Sequence, residues 1–176
     1  RQGLERQLER LRRPSDELSL REKLSFLYPF DPNAKFPGYI WQSWKYGLND
    51  ERFGDEYSKC QSKWPGKNPG FVHEIFNDDT SSAFIHFLYL NVPDVTEAFD
   101  ALPNAVLKVE FFRYLILYAK GGVWADIDTY PVRPIPNWIP DNVEPSELGM
   151  ILGVDYAGAG QASEDWRTSR QRKFQF

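Results

Sequence analysis

Between residues 105 and 119 the apolar positions Val106, Val109, Phe112, Ile116 and Ala119 step by three or four. That spacing predicts a helix with one buried face. Gly121-Gly122 follows where a left-handed C-cap belongs, and Val123-Trp124-Ala125 reads as a buried strand running into acidic residues. Upstream, Leu4, Leu8 and Leu11 fall at i, i+4, i+7, which predicts an amphipathic stem or surface helix over residues 1–13, stopped by Pro14. Ser15-Asp16-Glu17 offers N-cap chemistry for a second short helix through Leu18, Leu24 and Leu27, ended by Tyr28-Pro29-Phe30-Asp31-Pro32. Gly38–Lys45 and Phe71–Phe76 have the aromatic enrichment or alternation of strands, and Asn77-Asp78-Asp79 closes the second. Glu56–Lys63 is helix-like, Trp64–Gly70 reads as a Pro/Gly turn, and Ser81–Leu90 as a helix with Phe84, Phe87 and Leu88 on one side. After the acids, Pro131, Pro134, Pro136 and Pro140 imply irregular chain. Glu147–Val154 reads as a further strand, and residues from Ser163 on are polar and basic. Strands alternating with helices predict an α/β domain with a mainly parallel sheet.

Composition narrows the function more than the fold. A chain of 176 residues is ordinary for one domain and long enough to bury a core. Aromatic residues make up 16%, which suits a core and equally suits flat surfaces for bases and sugars. The net charge of −4 argues against a nucleic-acid partner held through phosphates. Cys60 is the single cysteine, so no disulfide forms within the chain. No run of 18 apolar residues is present. The chain opens on Arg1 rather than Met, from which we expect an upstream segment, such as a membrane anchor, to have been removed.

The chemistry concentrates at Asp126 and Asp128. In an extended chain residues i and i+2 share a side, so two carboxylates would converge at the C-terminal end of a buried strand. Ligands of open α/β sheets sit outside those strand ends. Paired carboxylates suit a hard divalent ion, Mg²⁺ or Mn²⁺, which completes its shell with substrate phosphates. An isolated Asp-x-Asp is more often a solvated turn. The preceding helix, Gly-Gly turn and apolar strand favour a site. A phosphatase motif of the Asp-x-Asp-x-Thr/Val type fits poorly, because Tyr130 stands where Thr or Val belongs. Arg113 lies one helical turn after Glu110; the two form either a surface ion pair or an Arg held for the site. Trp41-Gln42 either belong to the core or line a base pocket by stacking and an amide hydrogen bond. His73 and His86 lack metal or triad spacing and read as structural, and Cys60 lacks an activating context.

Two blocks, Phe36–Lys45 and Glu110–Thr129, resemble glycosyltransferase family 32 and, more narrowly, its fungal initiation-specific α-1,6-mannosyltransferase branch. Leu20-Arg21-Glu22-Lys23-Leu24 and Tyr28–Pro32 fit the same branch. The resemblance implies a GT-A-like nucleotide-diphospho-sugar transferase domain over residues 33–176, preceded by a helical stem over 1–32. It implies a retaining hexosyltransferase that uses Mn²⁺ (or Mg²⁺) and GDP-mannose. A glycan or glycoprotein would be the acceptor, and the Golgi lumen the location, as the soluble part of a type II membrane protein. Carried over by position, Asp128 would ligate the metal. Asp126 would contact donor sugar or ribose and help place the ion. Arg113 would bind the sugar or phosphate side, and Ile40, Trp41 and Gln42 would line the nucleotide pocket. Glu110 stands where the family usually has Asp. Family members continue past the point matching Phe176, so the domain is expected to be incomplete at its C-terminus. The same fold with a UDP-sugar donor, or a non-catalytic nucleotide-sugar-binding module, are the competing readings.

Overall fold

The computed structural model describes residues 13–140, 142–144 and 148–152. The expected helix over 1–13 and the chain from Ser163 on lie outside the described residues, save Arg13. The chain forms two compact units, each assembled from separate stretches. One takes the described residues up to Pro37 and Asp78–Gly122; the other takes Gly38–Asn77 and the described residues from Val123. No helix among the described residues is long and apolar enough to cross a membrane.

The first unit is helical. Helix α1 spans Leu20–Leu27. Its N-cap is Ser19, not the earlier Ser15: the Ser19 hydroxyl accepts from the Glu22 N–H while the Glu22 carboxylate accepts from the Ser19 N–H. This capping box satisfies two end donors at once, an advantage that Ser15-Asp16-Glu17 does not have. The Ser19 bonds hold the Glu22 carboxyl below the usual carboxylate range. The second half of the expected stem packs within this unit. Tyr28 Oη donates to the Leu88 carbonyl at 2.6 Å, and Lys23 pairs with Asp94.

The remaining helices of this unit are those encoded by residues 78–120. A helix Asp78–Leu88, here α4, starts on the acids expected to close the preceding strand, where carboxylates favour a helix N-terminus. Its buried residues are Ser81, Ile85 and Leu88; Phe87 faces solvent at 72% exposure, contrary to the expected stripe. Helix α5, Pro93–Asp100, is not among the expected elements; Pro93 begins it, where no N–H is needed, and Val95 and Phe99, four apart, are buried. Helix α6, Ala105–Lys120, is the predicted long helix, capped by the Asn104 side chain on the Leu107 N–H. It buries Phe112, Leu115, Ile116 and Ala119, while Val106 stays exposed. Tyr89, fully buried, donates its hydroxyl to the Leu115 carbonyl at 2.8 Å, and burial beside Tyr28 and Tyr118 pushes its ionisation far up.

Gly121 ends α6 with φ +65°. A Cβ there would lie 2.8 Å from the Pro37 ring. Both facts demand glycine. Gly121→Ala should therefore lower the melting temperature by several degrees, about 1–3 kcal/mol, in a thermal unfolding scan.

The second unit holds a three-stranded parallel sheet in the order β2-β1-β3, as the α/β reading requires. Strand β1 is Tyr39–Ser43, β2 is Val72–Phe76 and β3 is Val123–Trp124. Trp41 pairs in register with Glu74 and with Trp124. Between β1 and β2 run a 3₁₀ turn, Glu51–Phe53, then α2, Asp55–Gln61, and α3, Lys63–Lys67. The expected Trp64–Gly70 turn is thus helical for its first part. Pro65 is tolerated because it falls among the first N–H groups, which have no intrahelical partner.

Trp64 roots α3 in a core of Ile40, Ala125 and Ile135, with Phe71, Val123 and Trp138 against it. Asn68, buried beneath α3, donates to the Trp64 carbonyl and accepts from the Ile135 N–H. Residues 148–152 do not form the expected strand. Met150, Ile151 and Leu152 are exposed, with no neighbouring ladder to pair with.

Candidate functional site

A parallel sheet presents all its strand ends at one edge. Ser43 of β1 and Phe76 of β2 end there, and Asp126–Thr129 follows β3 directly. The expectation of an extended Asp126–Asp128 segment does not hold. Strand β3 stops at Trp124, Ala125 donates one more bond to the Trp41 carbonyl at 3.0 Å, and the chain then turns. The turn closes on the Asp126 carbonyl, which accepts from the Thr129 N–H at 3.0 Å and from the Thr129 hydroxyl at 2.6 Å. Threonine suits this position because its hydroxyl reinforces the backbone bond.

Burial still alternates through the turn. Ala125, Ile127 and Thr129 are buried, whereas Asp126 and Asp128 are half-buried. The apolar side chains anchor the turn and leave both carboxylates toward its wetter side. Trp124 Nε1 donates to Asp126 Oδ1 at 3.1 Å and so orients that carboxylate. Trp64 Nε1 donates to the Thr129 carbonyl at 3.0 Å and ties the far end of the turn to α3.

A third tie comes from the middle of the sheet. Gln42 is completely buried; its Nε2 donates to the Asp126 carbonyl at 3.0 Å, and its Oε1 meets His73 Nε2 at 2.8 Å. Burial drives the His73 imidazole down to about 4, so it is neutral near pH 7. Ile40 is likewise fully buried. Trp41 is nearly so, stacked on Tyr39 at 4.7 Å and tilted against Phe76. The structure therefore gathers Ile40, Trp41, Gln42, Asp126 and Asp128 in one unit, with the first three backing the turn from within. Sequence reading passed over His73, Thr129, Trp64 and Trp124 as site residues. Only the alternation that puts His73 on the Gln42 face of the sheet hinted at the first.

Arg113 and Glu110 belong to the helical unit, on α6. Arg113 Nη2 donates to Glu110 Oε1 at 2.9 Å, the i,i+3 pair the spacing predicted. Cys60, buried in α2, is no nucleophile. Burial pushes its thiol up, Lys63 partly offsets this, and Asp128 and Glu56 push the same way as burial. His86 pairs with Asp100 on the surface of the helical unit, in keeping with a structural role. Two donors at the end of β1, Ser43 Oγ and Trp44 Nε1, are buried with no hydrogen-bond partner among the described residues. Groups of this kind cost about 1–3 kcal/mol each when left unmet, and often lie where a ligand or water binds.

The donor set of the turn fits a small hard divalent ion. Both side chains offer carboxylate oxygen, and one carboxylate is already oriented by an indole N–H. Among the described residues no third His, Cys, Asp or Glu joins them in a cluster. An ion held here would fill its shell from diphosphate oxygens and water.

Comparison with known proteins decides the family. The model of the glycosyltransferase sugar-binding region containing a DXD motif matches residues 54–144. That span covers more than half of the chain and includes the turn with Asp126 and Asp128. The chain belongs to this family. HOC1 of Saccharomyces cerevisiae, which carries a provisional glycosyltransferase name, is 44% identical over 98% of this chain and 42% of its own length. The initiation-specific alpha-1,6-mannosyltransferases of Candida albicans and S. cerevisiae are 38% and 33% identical, over 92% and 90% of this chain and 42% and 38% of their own. The chain thus spans about two fifths of the relatives it matches. No solved structure matches it. The parallel sheet with helical crossovers is consistent with a GT-A-like domain.

Proposed function

We propose that the protein containing this chain is a metal-dependent retaining glycosyltransferase that moves mannose from GDP-mannose to an N-glycan in α-1,6 linkage. The observation that carries the reading is the acid turn. Two carboxylates stand at the C-terminal edge of a parallel sheet, fixed by Gln42, Trp124, Thr129 and Trp64, in a chain of the DXD family. Mannose transfer has the broadest support, because named mannosyltransferases recur among the relatives. Two inositol phosphoceramide mannosyltransferases of Schizosaccharomyces pombe, 30% and 24% identical, act on a different acceptor by name. The α-1,6 N-glycan acceptor rests on the more similar group.

In this reading Asp126 and Asp128 hold Mn²⁺ or Mg²⁺, which when bound neutralises the departing diphosphate. The chain's own groups pre-set the geometry, so little reorganisation accompanies reaction. Trp124 aims the Asp126 carboxylate, and Gln42 and Thr129 fix the backbone beneath it. Arg113, held by Glu110, serves the donor's sugar or phosphate side. Ile40, Trp41 and Gln42 support the nucleotide pocket as its rigid backing. The sugar C1–O bond to the diphosphate breaks with its electron pair leaving on GDP. The acceptor oxygen bonds C1 from the same face, and its proton passes to the departing diphosphate oxygen. The Golgi lumen, with an upstream anchor making a type II membrane protein, is the proposed setting.

A donor panel on the full-length natural protein tests the assignment. GDP-mannose should be turned over with Mn²⁺ and not after chelation by EDTA. Calorimetry should show GDP binding more tightly with the metal than without it. A preference for UDP-galactose, UDP-glucose or UDP-GlcNAc would overturn the mannosyl reading, and binding without any turnover would favour a non-catalytic module.

A further inference from the structure

We propose that His73 is a positioning residue for the acid turn: its Nε2–H holds the Gln42 amide in the orientation that clamps the Asp126 carbonyl. His73 pairs in register with Ile40, so it is diagonal to Gln42 on the same face of two parallel strands. A buried amide has two orientations related by a flip, and the shapes of its oxygen and nitrogen barely differ. With Nε2 toward Asp126, Gln42 donates to a carbonyl. Flipped, it would set oxygen against oxygen around a completely buried side chain. The Asp126 carbonyl, which only accepts, sets this orientation, and the group facing the other end of the amide holds it. His73 Nε2 lies 2.8 Å from Gln42 Oε1, and an amide oxygen only accepts, so the imidazole must carry its proton on Nε2.

The chain of donation therefore runs His73 to Gln42 to Asp126, from β2 through β1 to the turn after β3. Each strand of the sheet contributes to the backbone position of a proposed metal ligand. This role rests on the reading of Asp126 and Asp128 as the metal-binding pair; partners one step behind the ligands typically alter metal affinity about 10–100-fold, and His73, two steps behind, belongs at the low end of that range.

The test uses the full-length protein with two variants. His73→Gln keeps an N–H donor near the Nε2 position; His73→Met fills similar space without one. Mn²⁺ affinity is read by electron paramagnetic resonance, and exchange of the Asp126–Thr129 amides by hydrogen-exchange mass spectrometry. His73→Met should weaken Mn²⁺ binding about tenfold and speed exchange in the turn selectively, while His73→Gln stays within about threefold of the wild type in both. Unchanged exchange in His73→Met overturns the proposal. So does faster exchange spread evenly over the sheet, the mark of simple loss of packing. Should His73→Met fail to fold, His73→Gln decides alone: a folded variant with a loosened turn overturns the proposal, and one with a wild-type turn supports it. If the wild type binds no Mn²⁺, the metal reading falls, and the exchange pattern still decides whether His73 holds the turn.

Discussion

Asp128→Ala should lower GDP-mannose turnover by about 100-fold or more at saturating Mn²⁺ in the full-length protein. Asp128 is half-buried on a turn whose backbone is held by Gln42, Thr129 and Trp64. The substitution removes one of two carboxylates proposed to fix the ion against the leaving diphosphate. A group placed to stabilise developing charge contributes on the order of 3–4 kcal/mol, two to three powers of ten in rate. Asp128→Asn, nearly isosteric but uncharged, should lose almost as much. Retention of more than a few per cent of activity in Asp128→Ala would remove Asp128 from the metal site.

The largest loss of stability is expected at Trp64. Its ring is 1% exposed, packs edge-on against Trp138 at 6.2 Å and completes the core with Ile40, Ala125 and Ile135. Trp64→Ala should cost about 3–5 kcal/mol, because the rigid strand and proline-rich neighbours leave a cavity that collapses only in part. Trp64→Phe retains much of the packing but strips the N–H from the Thr129 carbonyl, and should cost about 1–3 kcal/mol. Denaturant unfolding of the three proteins separates the two contributions. Near-equality of Phe and Ala variants would show that the hydrogen bond, not the ring's volume, dominates.

The sequence made the class of fold legible where pattern and period agree. Helix α6 and both longer strands fall where apolar spacing puts them, and the two glycines after α6 do adopt positive φ. Prediction failed where a local signal has two meanings. The acids at Asp78 and Asp79 look like a strand's end and are a helix's beginning. Trp64-Pro65-Gly66 has turn composition, yet proline near a helix start costs nothing. Helix α5 has its signals in the chain, with Val95 and Phe99 four apart and Pro93 at its start, yet it is not among the expected elements. At the site, residue types pointed to Asp126 and Asp128 as chemistry, but the geometry first inferred for them was that of a strand. The turn depends on the Thr129 hydroxyl and on an amide arriving from β1, 84 residues earlier in the chain. Pattern rules do not register a contact of that span. His73 was read as structural by the same limit, since its partner stands on another strand.

The close approach of Gly121 to Pro37 also bears on how fast the sheet can assemble. Strands β1 and β3 pair across more than eighty residues, a loop whose closure would ordinarily slow folding. Pro37 lies two residues before β1 and Gly121 two before β3, and both belong to the helical unit, so packing of its helices brings the two strand starts together. Once those helices are packed, the effective loop shrinks to a few residues. The contact between Gly121 and Pro37 would then pre-pay part of the entropy of pairing β3 with β1.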